Sequence, residues 1–139
     1  KRKTLRDIII KKALDYSISY VSVKIIDEIN ILNASLLAMN LAIDKLQIKP
    51  EFIIVDGNRF ESKKEIPYRC IIKGDSKYMS IAAASILAKT SRDEYMIKLS
   101  KSYPEYNWAQ NKGYPTKMHK KAILKNDITI HHRKTFKLN

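Results

Sequence analysis

The sequence predicts a single α/β domain in which short buried strands alternate with amphipathic helices. An apolar run at 52–55, bounded by Pro50 and Gly57, is typical of a buried strand, and a second β-rich run follows at 68–72. Long segments on either side repeat their apolar residues at helical intervals. With 139 residues, 45% of them hydrophobic, and no internal repeat or low-complexity linker, the chain is long enough for one domain with its own core.

The first part of the chain is predicted to form a helix, a strand and a second helix. Residues 1–14 have the apolar spacing of an amphipathic helix, and residues 16–23 alternate Tyr, Ile and Val with Ser, as in a half-buried strand. Ser22 suits the N-cap of a short helical turn, and Asn30 that of the longer helix behind it. The apolar positions of this longer helix include Leu32, Leu36, Leu37, Met39 and Ile43.

The second part is predicted to continue with two strands and two helices, which gives the order α-β-α-β-β-α-α. Small alanines in the longer of these helices let it approach a sheet closely, so we interpret them as packing residues. The predicted elements are strands at 52–55 and 68–72, a turn at 73–77 with Ser76 as N-cap, a helix to about residue 100, a loop at 103–116, a short helix near 117–125 and a basic tail at about 126–139.

Positive charge is concentrated at the two ends of the chain. The formal net charge is +13, of which residues 1–12 carry +5 and residues 111–139 carry +7, so the long middle segment is nearly neutral. Such clustering favours a polyanionic partner, and nucleic acid is the usual one. The alternative is a solvated surface encoded by an AT-biased, lysine-rich genome.

Composition also limits the compartment and the class of protein. A single cysteine, Cys70, excludes an intrachain disulfide and indicates a reducing compartment, so we expect a cytoplasmic protein. Three scattered histidines do not have zinc-site spacing. The longest apolar stretch, 81–88, is too short to span a bilayer, and nothing indicates a membrane partner or an oligomer, so we expect a monomer. The chain begins at Lys1 within a charged helical pattern, which suggests a fragment.

Asp56 is the first candidate for chemistry, because it ends the apolar strand at 52–55. An ionised carboxylate there is costly unless hydrogen bonds, a cation or a metal compensate it, and ligands bind at the carboxyl edge of open α/β sheets. The alternative is a turn residue, since Asp-Gly is a common turn pair. Spacing alone favours the turn.

Asp93 is a second candidate, late in the helix that follows residue 77. It lies four residues after Lys89, so an exposed ion pair is the ordinary interpretation. The alternative is that the helix brings Asp93 to the strand end holding Asp56. Paired carboxylates that bind Mg²⁺ or Mn²⁺ are what two-metal phosphodiester hydrolysis requires.

Two basic segments are candidates for binding phosphate or sugar. The turn from Lys73 to Lys77 combines free backbone N–H groups with two ammonium groups, although similar turns precede most helices.

Tyr114, between Gly113 and a proline in a lysine-flanked loop, either presents its ring for stacking or anchors the loop in the core. We expect three other aromatic residues to pack this loop down: Tyr103, Tyr106 and Trp108. The segment 131–133 could touch phosphates, but a solvated tail is favoured.

Taken in order, seven segments of the chain resemble the ribonuclease HII family. Each is unremarkable by itself, but together they cover nearly the whole chain. The segments are IDEINIL at 26–32, VDGN at 55–58, KGDSK at 73–77, SIAAASILAK at 80–89, RD at 92–93, KGYPT at 112–116 and HRKTF at 132–136.

The resemblance implies a ribonuclease H-like fold, with a mixed sheet flanked by helices, and a hydrolase that uses four acidic residues and divalent Mn²⁺ or Mg²⁺. Asp56 and Asp93 match two of these acids and would be catalytic metal ligands. Tyr114 matches the tyrosine that contacts the ribose at an RNA–DNA junction, and Lys73 and Lys77 match the basic turn near the active site.

The implied activity is endonucleolytic cleavage of the RNA strand of RNA–DNA hybrids, and of duplex DNA at embedded ribonucleotides, in DNA replication and repair. The nucleic-acid-binding residues would then also include Lys112 and Arg133 in the two C-terminal matched segments. The basic ends would bind phosphates without reading sequence, while shape and the 2′-hydroxyl would select the site.

One motif of the family is absent from the sequence. This Asp-Glu-Ala-Gly-Arg-Gly run lies on the family's first strand and supplies the other two acids. We therefore expect a partial catalytic domain over 1–139 that lacks the first strands, folds with poor cooperativity and cleaves at no useful rate alone. The alternatives are a non-catalytic basic nucleic-acid-binding domain and an inactive truncated product.

Overall fold

The computed structural model describes residues 1–133 and confirms the predicted α/β class. Five α-helices, two strands and two 3₁₀ turns make up this part of the chain. In order they are α1 (Arg2–Lys12), α2 (Val23–Lys45), β1 (Ile53–Asp56), β2 (Tyr68–Ile71), a 3₁₀ turn (Gly74–Ser76), α3 (Met79–Ser102), a 3₁₀ turn (Pro104–Tyr106), α4 (Trp108–Asn111) and α5 (Lys117–Asn126).

The two strands form a parallel pair, with Val55 opposite Cys70 and Asp56 opposite Ile71. Parallel strands need a crossover, and here the loop between β1 and β2 provides it. Phe60 and Ile66 from this loop are buried, and the Phe60 ring packs edge-on against Tyr68 of β2. Because both strands run the same way, their carboxyl ends lie at one edge, and the residues after each strand are neighbours.

The strand predicted at 16–23 is wrong, because this segment has no strand assignment and only β1 and β2 pair within residues 1–133. Its polar contacts are with α2 and the residues after it. Lys45 Nζ donates to the Ile18 carbonyl at 3.3 Å, and the Asp15 carboxylate accepts the backbone N–H of Gln47 and of Ile48. These bonds, Ile48 first, lower the pKa of Asp15. Alternation specifies an extended chain, but a strand also needs a partner edge.

Both helix caps predicted near α2 are confirmed. The Ser22 hydroxyl accepts the N–H of Ile25 at 3.3 Å, and Asn30 Oδ1 accepts that of Asn33 at 3.0 Å. Asn30 has φ 70° and ψ 169°, so the helix is interrupted there and restarts. The helix at 23–45 is long and apolar enough to cross a membrane. Length and composition alone are weak evidence for a membrane span, and this helix is interrupted at Asn30.

The start of α3 differs from the prediction, because Tyr78 rather than Ser76 precedes the first helical residue. The Ser76 hydroxyl instead donates to the Lys73 carbonyl at 2.8 Å, within the 3₁₀ turn. Gly74 is buried in that turn, and a Cβ built on it would lie 2.6 Å from Ile81 Cδ1 of α3. The turn therefore closes tightly between the sheet edge and α3, and this packing, rather than a side-chain cap, determines where the helix begins.

A hydrophobic core lies under the C-terminal half. It contains Met96 of α3, Tyr106 and Trp108 of the loop, and two residues of α5, Ala122 and Ile123. Tyr106 and Trp108 are each 1% exposed and stack with ring centroids 5.1 Å apart. The prediction that Tyr103, Tyr106 and Trp108 pack the 103–116 loop down is confirmed, although this segment also contains a 3₁₀ turn and α4.

Candidate active site

Asp56 lies at the carboxyl edge of the parallel pair, where its side chain contacts the turn that follows β2. Its Oδ1 accepts the N–H of Gly74 at 2.9 Å, while the N–H of Gly57 continues the sheet by donating to the Ile71 carbonyl. Gly57 has φ +116°, a conformation that favours glycine. The carboxylate is exposed, and a carboxylate has about four acceptor positions, so this bond leaves capacity for a cation.

Two exposed lysines flank the turn that Asp56 contacts. Lys73 adopts the left-handed conformation, with φ 54°, and its carbonyl accepts the N–H and hydroxyl of Ser76. The Lys77 N–H closes the turn by donating to the Gly74 carbonyl at 3.0 Å. The ammonium groups of Lys73 and Lys77 therefore belong to the same short turn that holds the Asp56 carboxylate.

Asp93 lines a cleft of about 320 Å³ between α3 and the loop after α4. Its neighbour in sequence, Glu94, pairs with Arg6 of α1, with Arg6 Nη1 at 2.7 Å from Glu94 Oε1. The expected Lys89–Asp93 ion pair does not form within residues 1–133, although both residues line the cleft. Four cationic residues line the cleft together with this carboxylate: Arg2, Lys89, Arg92 and Lys112.

Tyr114 closes the same cleft and presents its ring to solvent, since the residue is 64% exposed. Its backbone is held on both sides, because its N–H donates to the Asn111 carbonyl at 2.9 Å and its carbonyl accepts the Thr116 N–H at 2.8 Å and His119 Nδ1 at 3.1 Å. The interpretation of Tyr114 as a presented ring is thus confirmed over that of a core anchor.

Arg92 joins α3 to the Tyr114 loop. Its Nη2 donates to the Lys112 carbonyl at 3.3 Å, and a Cβ built on Gly113 would lie 3.3 Å from the same nitrogen. Gly113 also has φ +86°. A larger residue at 113 would be strained and crowded at once, so a glycine here lets the loop lie directly on the guanidinium.

The segment 131–133 is not a solvated tail, and that prediction is wrong. His132 is 8% exposed, and Arg133 is half-buried. Burial lowers the pKa of Arg133, as does the nearby Arg92, whereas Asp27 raises it. Arg133 therefore lies near α3 and α2 instead of projecting freely. The last three residues of the HRKTF segment lie outside the described residues.

The structure thus groups the predicted site residues around two centres. Asp93, Lys112 and Tyr114 line the cleft, while Asp56 lies with Lys73 and Lys77 at the sheet edge. Carboxylate oxygens suit Mg²⁺ or Mn²⁺, so Asp56 and Asp93 fit as ligands, but residues 1–133 contain no group of three or more metal-ligating side chains.

Sequence reasoning missed five residues that line the cleft. Lys89 and Arg92 lay within matched segments, so their position beside Asp93 was a usable signal. Nothing in the local pattern indicated the other three, which reach the cleft only through folding. The five are Arg2, Lys89, Arg92, Gln110 and Asn111.

Comparisons with known proteins agree on one family. Residues 1–139 match the family described as ribonuclease HII. The chain is 58% identical over 137 residues to a ribonuclease HII of Christiangramia forsetii, covering 99% of this chain and 69% of that protein. A ribonuclease HII of Phocaeicola vulgatus is 53% identical with the same coverages.

A solved structure resembles this fold. The ribonuclease H2 from Pyrococcus horikoshii superposes with a TM-score of 0.81 at 28% identity, covering 99% of this chain and 72% of the other. The expected ribonuclease H-like architecture is thereby confirmed.

Proposed function

The chain belongs to the ribonuclease HII family, a group of ribonuclease H-type hydrolases, and from this premise we propose the substrate and the role of each site residue. The proposed activity is metal-dependent endonucleolytic cleavage of the RNA strand of RNA–DNA hybrids, and of duplex DNA at embedded ribonucleotides. The observation that carries the proposal is the cleft in which Asp93 and the exposed Tyr114 ring lie among four cations.

The cations of the cleft would hold the phosphate backbone. Lys89, Arg92 and Lys112 line the same cleft as Tyr114, so a strand in the cleft would meet positive charge and an aromatic ring together. Phosphate contacts of this kind carry no sequence information and weaken with salt. The ring of Tyr114 would then stack on the ribose or base at the junction, where the 2′-hydroxyl marks RNA. Arg133, beside Arg92, would add to the same phosphate surface.

Asp56 and Asp93 would supply the carboxylate ligands of Mg²⁺ or Mn²⁺, and Lys73 and Lys77 would neutralise a phosphate at the sheet edge. When bound, the metal supplies Lewis-acid activation of water and charge stabilisation at the leaving oxygen. The Gly74 N–H would orient the Asp56 carboxylate by holding Oδ1.

We expect the 139-residue chain by itself to bind substrate and to cleave it at no useful rate, because residues 1–133 contain no group of three metal-ligating side chains. We further propose that the protein is a cytoplasmic monomer, without a membrane partner, that acts in DNA replication and repair.

A binding experiment tests the proposal. Fluorescence anisotropy would compare a DNA duplex carrying one ribonucleotide with the same duplex made entirely of DNA, for the wild type, Tyr114→Phe and Tyr114→Ala. We expect tighter binding of the ribonucleotide duplex by the wild type and by Tyr114→Phe. Tyr114→Ala should bind the ribonucleotide duplex more weakly by about 1–3 kcal/mol, the typical value of one stacked base, and should lose its preference for that duplex.

A non-catalytic basic nucleic-acid-binding domain is the second candidate, favoured by the charge of +7 over residues 111–139. It predicts equal affinity for both duplexes and no change on Tyr114→Ala beyond a loss of stability. Mn²⁺ titration separates the candidates independently, because Asp56→Asn should weaken Mn²⁺ binding only if Asp56 is a metal ligand.

A further inference from the structure

Beneath the Tyr114 loop, two histidines form a buried hydrogen-bond chain that the proposed chemistry does not use. Trp108 Nε1 donates to His119 Nε2 at 3.2 Å, and His119 Nε2 lies 3.3 Å from His132 Nε2. His119 and His132 are 6% and 8% exposed. This hydrogen-bond chain reaches the backbone of the cleft, because His119 Nδ1 lies 3.1 Å from the Tyr114 carbonyl.

The partners of each ring determine where its proton lies. Trp108 Nε1–H only donates, so His119 Nε2 is unprotonated and its proton is on Nδ1, where it donates to the Tyr114 carbonyl. The Thr129 N–H donates to His132 Nδ1 at 2.9 Å, so the His132 proton is on Nε2, where it shares the single lone pair of His119 Nε2 with Trp108 Nε1–H. A second proton on either ring would face an N–H group, and the chain is intact only when both are neutral.

The groups that shift the pKa of His132 include no acid. Burial is the largest cause that lowers the pKa of His132, followed by His119 and His131. Tyr106, whose ring centroid lies 4.7 Å from that of His132, sends its hydroxyl to the carbonyls of Asn126 and Asp127 instead. Burial first, and then Glu105 and the Asp127 carboxylate, raise the pKa of the Tyr106 hydroxyl.

We propose that His119 and His132 are positioning residues, whose neutral tautomers hold the Tyr114 carbonyl and thereby orient the exposed Tyr114 ring toward a ribonucleotide in duplex DNA. His132 contributes by fixing His119 and by tying down the 129–132 turn that precedes Arg133. This inference rests on the proposed function, since it assigns to the pair the discrimination between ribose and deoxyribose at the cleft.

Two substitutions at position 119 separate the bond to Tyr114 from the bond to Trp108. His119→Asn places an amide N–H on Cγ, the atom to which Nδ1 is bonded in histidine. It therefore keeps the donor to the Tyr114 carbonyl and loses the acceptor for Trp108. His119→Gln places its amide one bond further out, which keeps the acceptor and loses the donor. His131→Asn is the matched control, because that neighbouring ring packs on Tyr103 and Trp108.

The readout is the affinity ratio between the one-ribonucleotide duplex and the all-DNA duplex, measured by anisotropy at pH 7.5. We expect His119→Gln to lower this ratio about fivefold, the effect of one lost neutral hydrogen bond, with all-DNA affinity unchanged. His119→Asn and His131→Asn should keep the wild-type ratio, even if His119→Asn unfolds at lower temperature. The positioning role is refuted if His119→Gln keeps the ratio, or if the ratios of all three variants follow their thermal stabilities.

A pH titration gives a second arm that a merely structural role would not reproduce. Trp108 is the single tryptophan, so its fluorescence reports on the pair directly. We expect the duplex ratio and the Trp108 signal of the wild type to change together below pH 6.5. His132→Asn offers Thr129 an acceptor that does not titrate, so it should flatten both curves; an unchanged ratio curve would contradict the inference. A wild type without any preference for the ribonucleotide duplex would refute the proposed function itself, and the inference with it.

Discussion

Replacing Gly74 by alanine tests how the turn between β2 and α3 supports Asp56. The new Cβ would lie 2.6 Å from Ile81 Cδ1, 3.5 Å from Ile71 Cβ and 3.6 Å from Asp56 Cα. Only the first contact is too short, and Cδ1 is the end of a buried side chain that is 6% exposed. Overpacking of this kind costs about 1–3 kcal/mol. We therefore expect Gly74→Ala to lower the free energy of unfolding by that amount.

A double-mutant cycle identifies the cause. Ile81→Val removes Cδ1 and alone should cost about 0.5–1.5 kcal/mol, the usual value for this truncation. With the clash removed, Gly74→Ala should cost little more in the Ile81→Val background, so the double variant should be more stable than additivity predicts. Urea unfolding followed by circular dichroism measures all four proteins.

Gly57→Ala is the matched control, since its built Cβ meets nothing within 4 Å and its φ is +116°. Its cost is backbone strain, which Ile81→Val cannot relieve. Additive free energies for Gly74→Ala and Ile81→Val would show that the packing argument is wrong. Relief of Gly57→Ala by Ile81→Val would contradict it as well.

Two further predictions concern the C-terminal core. Burial lowers the pKa of His132 from 6.5, so below pH 6.5 the unfolded chain binds more protons than the folded protein. The free energy of unfolding should therefore be at its full value above pH 6.5. It should fall as the pH drops toward the folded-state pKa, by no more than about 1.4 kcal/mol per pH unit. Urea unfolding at several pH values measures this, and a flat dependence below pH 6.5 that matches His132→Asn would refute it. Asn111→Ala should lower the free energy of unfolding by about 1–3 kcal/mol, because it leaves the buried Tyr106 carbonyl and the Gly113 N–H without their side-chain partners. Thermal unfolding measures this loss. A loss no larger than that of Asn107→Ala, at a half-exposed position, would contradict the argument.

Local signals were sufficient where a residue acts on its near neighbours. Ser22 and Asn30 cap helices through bonds to residues three positions ahead, so the hydroxyl or amide and the following apolar pattern predicted both. The parallel strands were visible as apolar runs with turn residues beside them.

Predictions failed where the partner is distant in sequence. Ser76 resembles an N-cap, but the fit of Gly74 under Ile81 determines that α3 begins later. The alternating segment 16–23 resembles a strand, yet its backbone contacts α2. His132 resembles part of a basic tail, and only Tyr106, Trp108 and His119 make it a core residue.

The amino-acid sequence was sufficient to predict the α/β class, the family resemblance and the candidate acids Asp56 and Asp93, and its charged ends predict a polyanionic partner. Only packing shows that Asp93 lines a cleft with four cations, that Asp56 accepts the Gly74 N–H, and that the buried His119 contacts the Tyr114 carbonyl. The difference lies in how far apart in the sequence the interacting groups are. Caps and periodicity act over one or two turns of chain, whereas a cleft's charge and a histidine's tautomer depend on groups that only packing brings together.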